Sequence, residues 1–395
     1  MSVHNGTLSV SSMPPNPPNS LTTSMKTKTL LLGFCLLATG LRGDENPDFF
    51  GLYGVCRDTH EETREYVKKC KAAGITVLIP SISGGGGAIW KTGTEDYYPP
   101  LKQAFDSGYD ALAELIKVAH ENGIKVMPSV AVGPVSKIAR EHPEWVTLDR
   151  NGDPSPKTGP ASLAFSYPEA RAARLAGLMD LVTGYDVDGV VLDYCRYPEH
   201  TKTPETSYGF YGYDEPLLRV CREVYGFDPK VEPINSPKWH IFNRLRKESV
   251  TAFVAELRDA IKKSGRKIML IGFGDTDPEK DANMAARESA VWARRGLIDA
   301  YLAGTYLDSV EKMGKTITDM REMIGPHTKI YTALSPFADR ITTESQMLDM
   351  ARTQLAAGAD GLWIYRDDYF EKHNLWEAAA KTSKLLKEDR PLVRN

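Results

Sequence analysis

The stretch Val182–Asp193, "VTGYDVDGVVLD", carries the pattern from which the rest of the chain can be read. An amphipathic run stops at Gly184, and a short apolar strand then begins at Gly189 and ends on a carboxylate, Asp193. Glycine ends a helix at little cost because it enters the left-handed conformation without a Cβ penalty. The same order recurs in "KAAGITVLIP" (71–80), "ENGIKVMPSV" (121–130), "KSGRKIMLIG" (263–272), "RRGLIDAYLAG" (294–304) and "LAAGADGLWIY" (355–365). With the opening "FFGLYGVCR" (49–57) and the later "TKIYTALSP" (328–336), the chain offers eight strands.

Stretches with a 3.6-residue apolar period separate these strands, over 59–73, 110–122, 169–184, 243–264, 284–297, 309–324, 344–357 and 375–387. Strict alternation implies parallel strands, because each return to the same edge needs a crossover helix. Eight such units predict an α/β (β/α)8 TIM barrel over residues 44–390, with a long aromatic-rich insertion after strand 4. A doubly wound open sheet is the alternative, and it would place ligands at a switch point between strands instead.

One internal echo separates structure from chemistry. Residues 187–194, "VDGVVLDY", resemble 359–366, "ADGLWIYR", at the fourth and eighth strands. Both open on Asp-Gly, so Asp188 and Asp360 are expected to serve strand entry at the bottom of the barrel. At the top they differ, with Asp193 standing where Tyr365 stands. Period-2 geometry then points Gly189, Val191 and Asp193 inward, and Val190 and Leu192 toward the helices. A carboxylate at the carboxyl end of a barrel strand reads as catalytic or binding. The structural alternative is an ion pair between Asp193 and Arg196 that fixes the next loop.

Composition limits the partners. A net charge of −3 gives no basic footprint for nucleic acid and no polybasic patch for anionic lipid. Residues 1–24 are rich in Ser, Pro, Asn and Thr and read as disordered, or as an artefact of an upstream start. From Met25 the pattern changes to a signal peptide over 25–43: Lys26 and Lys28, an apolar run Leu30–Ala38, and small residues for cleavage. That run is too short to span a bilayer, so export with no stable membrane insertion is expected. Beyond Cys35 in the leader lie Cys56, Cys70, Cys195 and Cys221, in no zinc-like spacing. A disulfide between Cys56 and Cys195, near two strand ends, stays open.

The other strand ends supply Arg57, Asp58 and His60 after strand 1, Ser129 after strand 3, and Asp275 and Asp277 after strand 5. Tyr306 and Asp308 follow strand 6, and Arg366, Asp367 and Asp368 follow strand 8. The eight His residues include no His-x-His pair, which argues against a metal-dependent barrel hydrolase. No strand end offers the Lys that a Schiff-base aldolase requires. Gly84–Gly87 is followed by no Lys-Ser/Thr, so it reads as a loop beside the mouth, carrying Trp90, and not as a phosphate cradle. No cofactor and no metal are expected.

Carboxylate pairs are what glycoside hydrolysis needs, and sugars stack their C–H faces on aromatic rings. The segment after strand 4 brings Tyr208, Phe210, Tyr211, Tyr213, Tyr225 and Phe227 together, with Trp239 shortly after. Most of these rings are expected to form the insertion's own small core, leaving one or two for a rim.

"GYDALAELIKVAHENGIKV" (108–126), "HPEW" (142–145), "FSYPEAR" (165–171), "YDVDGVVLDYCRYP" (185–198) and Trp239 with "RKESVTAFVAELRDAIK" (246–262) occur in order along the chain. Together they resemble the glycosyl-hydrolase-like family 10, a group of mostly bacterial exported barrel proteins. The resemblance implies a (β/α)8 glycosidase-like domain with the acidic residue ending strand 4 at the active centre, here Asp193, followed by Arg196 and Tyr197.

The sequence thus predicts an exported glycoside hydrolase acting on a polysaccharide or glycoconjugate, with a non-catalytic glycan-binding barrel as the alternative. Asp193 is the essential carboxylate, and Asp275 ranks ahead of Asp308 as its partner. Arg57, Asp58, Trp90, Arg196, Tyr197, Tyr306, Tyr365, Arg366 and Asp367 are the candidate carbohydrate contacts.

Overall fold

A computed structural model describes residues 49–84, 87–97, 99–155, 160–198, 210–306 and 309–388. Eight strands carry the fold: β1 (Phe50–Gly54), β2 (Val77–Pro80), β3 in two segments (Lys125–Val126 and Ser129–Ala131), β4 (Gly189–Asp193), β5 (Met269–Gly274), β6 (Ala300–Ala303), β7 (Lys329–Leu334) and β8 (Gly361–Tyr365). Neighbours in the sheet are all parallel, in the order 3-2-1-8-7-6-5-4-3. The gap in β3 falls at Pro128, which has no N–H to give the ladder. Around it the Met127 N–H reaches the Leu78 carbonyl on one side, and the Pro128 carbonyl accepts from the Val191 N–H on the other. The strands therefore curl into a barrel that closes through β3.

Alternation along each strand sorts the core into two shells. Val191 packs inside with Val77, Ile271, Leu302, Tyr331 and Trp363. Val190 and Leu192 belong to the outer shell between strands and helices. Burying each such aliphatic side chain stabilises the fold by about 2 kcal/mol.

The bottom of the barrel repeats a device. Just ahead of every even strand, one side chain accepts the N–H of the odd strand before it: Thr76 from Phe50, Asp188 from Val126, Asp299 from Leu270 and Asp360 from Ile330. His120 also reaches Asp188, and Arg321 reaches Asp360. The two Asp-Gly pairs thus serve strand entry, as the internal echo suggests.

The helices are α1 (His60–Ala72), α2 (Ala111–Glu121), α3 (Pro168–Gly184), α4 (Glu215–Glu223), α5 (Pro237–Ser264), α6 (Pro278–Ala285), α7 (Ser289–Arg294), α8 (Val310–Ile324), α9 (Glu344–Ala356), α10 (Asp367–Lys372) and α11 (Trp376–Glu388), with short helices Pro99–Asp106 and Ser136–Glu141 in loops. Two differ from expectation. α5 starts at Pro237 and not at 243, because the Ser236 side chain accepts the Trp239 N–H and Pro237 suits the first helical position. The helix expected over 284–297 shrinks to α7, because the chain is still ending α6 there: Ala286 turns left-handed, at φ 62°, and the next helix starts only at Ser289.

Tyr213, Phe227, Trp239 and Phe242 form a small core beside the barrel with Leu217, Leu218 and Cys221. Tyr211 packs on the main core, Tyr225 is exposed, and Tyr208 lies outside the described residues. Cys56, Cys70, Cys195 and Cys221 are all free thiols, and burial pushes the Cys56 and Cys195 thiols up to about 12. Among the described residues no helix is long and apolar enough to cross a membrane.

Candidate active site

At the carboxyl ends of the strands lies a cavity of about 260 Å³, with Asp193 from the tip of β4 in its wall. The Asp193 carboxylate accepts the N–H of the next residue, Tyr194, at 2.7 Å. Tyr194 holds a left-handed φ of 48°, rare for a non-glycine residue, and is 48% exposed at the rim. The Arg196 guanidinium lies 5.1 Å from the centre of that ring.

The opposite walls are aromatic. Tyr53 from β1, Tyr365 from β8, Tyr306 after β6 and Phe273 from β5 line the same space. Tyr365 stands 5.2 Å from Tyr53 and 4.8 Å from Tyr306, centroid to centroid. Burial, then the Asp193 charge, raises the Tyr53 hydroxyl well above its usual value, with Ser81 and Ser129 beside it. Burial likewise raises Tyr306, with Tyr365 and Asp193 adding to it. These phenols stay protonated, so each offers a hydroxyl donor and an aromatic face to whatever occupies the cavity.

Desolvation raises the Asp193 carboxyl above the usual carboxylate range, against the opposing pull of Arg287, the Tyr194 N–H and Arg196. A carboxyl whose ionisation is opposed by burial, set in a hollow, can serve as a general acid. Asp275, just past β5, lines the same cavity. It is exposed, and one of its oxygens accepts from the Thr276 N–H at 2.7 Å and the Thr276 hydroxyl at 3.2 Å. Its backbone is held from both sides: its N–H donates to Asp281 at 2.9 Å, and its carbonyl accepts from the Tyr301 hydroxyl at 2.6 Å. Gly274 permits that approach, because a Cβ there would meet the Tyr301 ring carbons at 2.8 and 2.9 Å.

The structure brings together Asp193, Asp275, Arg196, Tyr306 and Tyr365 of the expected set. Asp308 lies outside the described residues. The remaining candidates stand apart from the cavity, each for a local reason. Trp90 is fully buried, with its indole N–H on the Gly177 carbonyl at 3.1 Å, so it is core and not rim. Tyr197 is also fully buried, its hydroxyl 3.1 Å from Ser249 and 3.3 Å from buried Asp214. The two Tyr side chains of the motif therefore divide: Tyr194 faces the hollow and Tyr197 the core.

Arg57 pairs with Asp367 at 3.0 Å and lies 3.9 Å over the Tyr66 ring, which consumes both charges behind β1. Arg366 forms two bonds to Asp368, at 2.7 and 2.6 Å, and Asp58 is exposed away from the cavity wall. The Tyr365–Arg366 peptide is cis. Among the described residues no group of three or more His, Cys, Asp or Glu side chains is placed to hold a metal ion.

Sequence reasoning missed Tyr53, Phe273 and Arg287. Tyr53 and Phe273 were within reach of the inward parity applied to β4. Arg287 was not, since it follows a helix and no strand-end signal marks it.

The architecture can be compared with solved structures. The glycoside hydrolase domain of PgaB (BpsB) from Bordetella bronchiseptica matches with a TM-score of 0.67 at 11% identity, over 85% of this chain and 98% of that one. The catalytic domain of β-amylase from Paenibacillus polymyxa matches at 0.59 and 10% identity, over 87% and 99%. α-L-fucosidase isoenzyme 2 from Paenibacillus thiaminolyticus matches at 0.59 and 16% identity, over 86% of this chain but 49% of its own, so the chain spans about half the length of that protein. No curated protein matches the sequence. The fold is thus a parallel α/β barrel of the class found in TIM-barrel glycosidases. Within that class the chain belongs to the glycosyl hydrolase-like 10 family, whose profile matches residues 44–334.

Proposed function

We propose that this protein is an exported glycoside hydrolase in which Asp193 is the general acid and Asp275 the second working carboxylate. The observation that carries the reading is a strand-end carboxyl, Asp193, in the wall of an aromatic-lined hollow that also holds a second, exposed carboxylate, Asp275; desolvation, which raises the Asp193 carboxyl, supports the assignment of the acid. In this scheme Asp193 gives its proton to the glycosidic oxygen as the bond to the anomeric carbon breaks. Asp275 then supplies the electron pair by one of two routes. It takes a proton from the water that attacks that carbon, or it attacks directly to form a glycosyl ester that water, deprotonated by Asp193, then cleaves to free the sugar and Asp275. The tyrosine faces supply the stacking surface, and Arg196 a charged contact at the rim. Export rests on Lys26, Lys28 and the apolar run that follows. N-terminal sequencing of secreted protein should find cleavage within residues 38–43.

The test is a screen of bacterial and algal polysaccharides with wild type, Asp193→Asn and Asp275→Asn. Both variants should bind and fail to cleave. With an aryl glycoside of a good leaving group, Asp193→Asn should regain turnover and Asp275→Asn should not, since only the acid becomes dispensable. Unchanged cleavage by Asp193→Asn would remove that residue from the mechanism. Binding without cleavage by the wild type would make the barrel a glycan-binding domain.

A further inference from the structure

Behind the cavity wall lies a buried ion pair whose position stability alone does not explain. Asp281, on α6, and Arg287, just past it, are each 4% exposed. One oxygen of Asp281 accepts from Nε of Arg287 at 2.8 Å, from its Nη2 at 2.5 Å, and from the Asp275 backbone N–H at 2.9 Å. Arg287 itself lines the cavity beside Asp193. The same segment is tied to the loop that follows Asp193, because the Ala285 carbonyl accepts the Tyr197 N–H at 2.9 Å. A buried pair adds little net stability over an apolar replacement, so its retention invites a specific role. Arg suits that role better than Lys, because its fixed fork can satisfy one carboxylate and still present charge in a second direction.

We propose that Asp281 and Arg287 form a positioning unit for both carboxylates of the site: Arg287 stations a fixed cation beside Asp193, and Asp281 locks the Asp275 backbone to that cation. The inference rests on the reading of Asp193 and Asp275 as the working pair. Arg287 is the first of the groups that favour the ionised Asp193, ahead of the Tyr194 N–H and Arg196. The other titratable groups around the same cavity are Tyr53 from β1, Tyr194, Asp275 just past β5, Tyr306 after β6 and Tyr365 from β8, and the buried phenols are neutral where a carboxyl titrates, so they bring no charge of their own. Burial, for its part, would depress Arg287; the Asp281 carboxylate, together with Tyr301 and Asp193, outweighs it and favours the charged guanidinium.

The deciding experiment is a carbon-detected NMR titration of the Asp193 carboxyl, assigned by its loss in Asp193→Asn. It compares wild type, Arg287→Lys, Arg287→Met and the double variant Asp281→Asn/Arg287→Met. The double variant leaves no lone buried charge, so it covers the case in which the single Met variant fails to fold. The Asp193 midpoint should rise in every variant that loses the cation, while Arg287→Lys stays nearer to wild type. Hydrogen exchange at the Asp275 amide should accelerate about tenfold in Asp281→Ala/Arg287→Met, which loses that hydrogen bond and also leaves no lone buried charge. A midpoint that does not move in the double variant, or an Asp275 amide that exchanges at the wild-type rate, overturns the proposal. Neither readout needs turnover. Asp193→Asn that still cleaves polysaccharide would refute the catalytic reading and leave these measurements standing.

Discussion

The contact between Gly274 and Tyr301 gives a test of how the site is held, with no need to know the substrate. In Gly274→Ala the new Cβ would lie 2.8 and 2.9 Å from two Tyr301 ring carbons and closer still to the hydroxyl oxygen, at the end of a strand that cannot retreat. Overpacking of this kind costs about 1–3 kcal/mol. Pushing the ring aside also breaks the bond from its hydroxyl to the Asp275 carbonyl, worth about 1 kcal/mol. The expected loss is therefore about 2–4 kcal/mol. Tyr301→Phe alone removes the same bond and should cost about 1 kcal/mol. Combined, the two changes should cost about 1–2 kcal/mol less than their sum, because the nearest clashing atom is gone and the bond is lost only once. Urea unfolding of the four proteins, followed by circular dichroism, measures the cycle. Costs that add within about 0.5 kcal/mol would refute the packing argument.

Three further outcomes follow from single side chains. Because burial raises the folded-state Asp193 carboxyl above its unfolded value, the ionised form is disfavoured in the fold, and stability is lost as pH rises through the folded pKa. Asp193→Asn should therefore melt higher than wild type near pH 7, an advantage that disappears below about pH 3, where both states are protonated; an advantage that grows on acidification contradicts this. Asp214, buried, accepts from Thr147, the Leu148 N–H, Ser166 and Tyr197, so Asp214→Ala should cost about 3 kcal/mol or more by leaving several buried donors unpaired. A urea midpoint within error of wild type would dismiss that network. Trp90→Phe should cost about 1 kcal/mol for the lost bond to Gly177, and should leave KM for any cleaved polysaccharide unchanged; a raised KM would return Trp90 to the rim.

The order of strands, their parallel sense and the inward face of β4 were all legible in the sequence, because each is a local or periodic property of the chain. Glycine ends helices through its own backbone freedom, as at Gly265 with φ 76°, and alternation sorts Val191 from Val190 whatever lies across the barrel. Asp193 stood out for the same reason, as the residue that breaks an otherwise apolar strand at its carboxyl end. The Asp-Gly echo likewise separated strand entry from chemistry before any contact was known.

What the sequence could not weigh was the use already made of each polar group by residues far along the chain. Arg57 and Asp367 are separated by most of the domain, yet they neutralise one another behind β1. Trp90 looked like a rim residue until Gly177, far along the chain on α3, took its N–H. Tyr194 and Tyr197 carry the same side chain three positions apart, and only a left-handed turn at Tyr194 sends one outward and the other into the core. Arg287 reaches the cavity because a helix ends at Ala286 and Asp281 is waiting there. Local pattern reports what a segment can form by itself. Which charges are spent, and which still face the hollow, depends on pairings across long sequence separations, and closure of the barrel decides those.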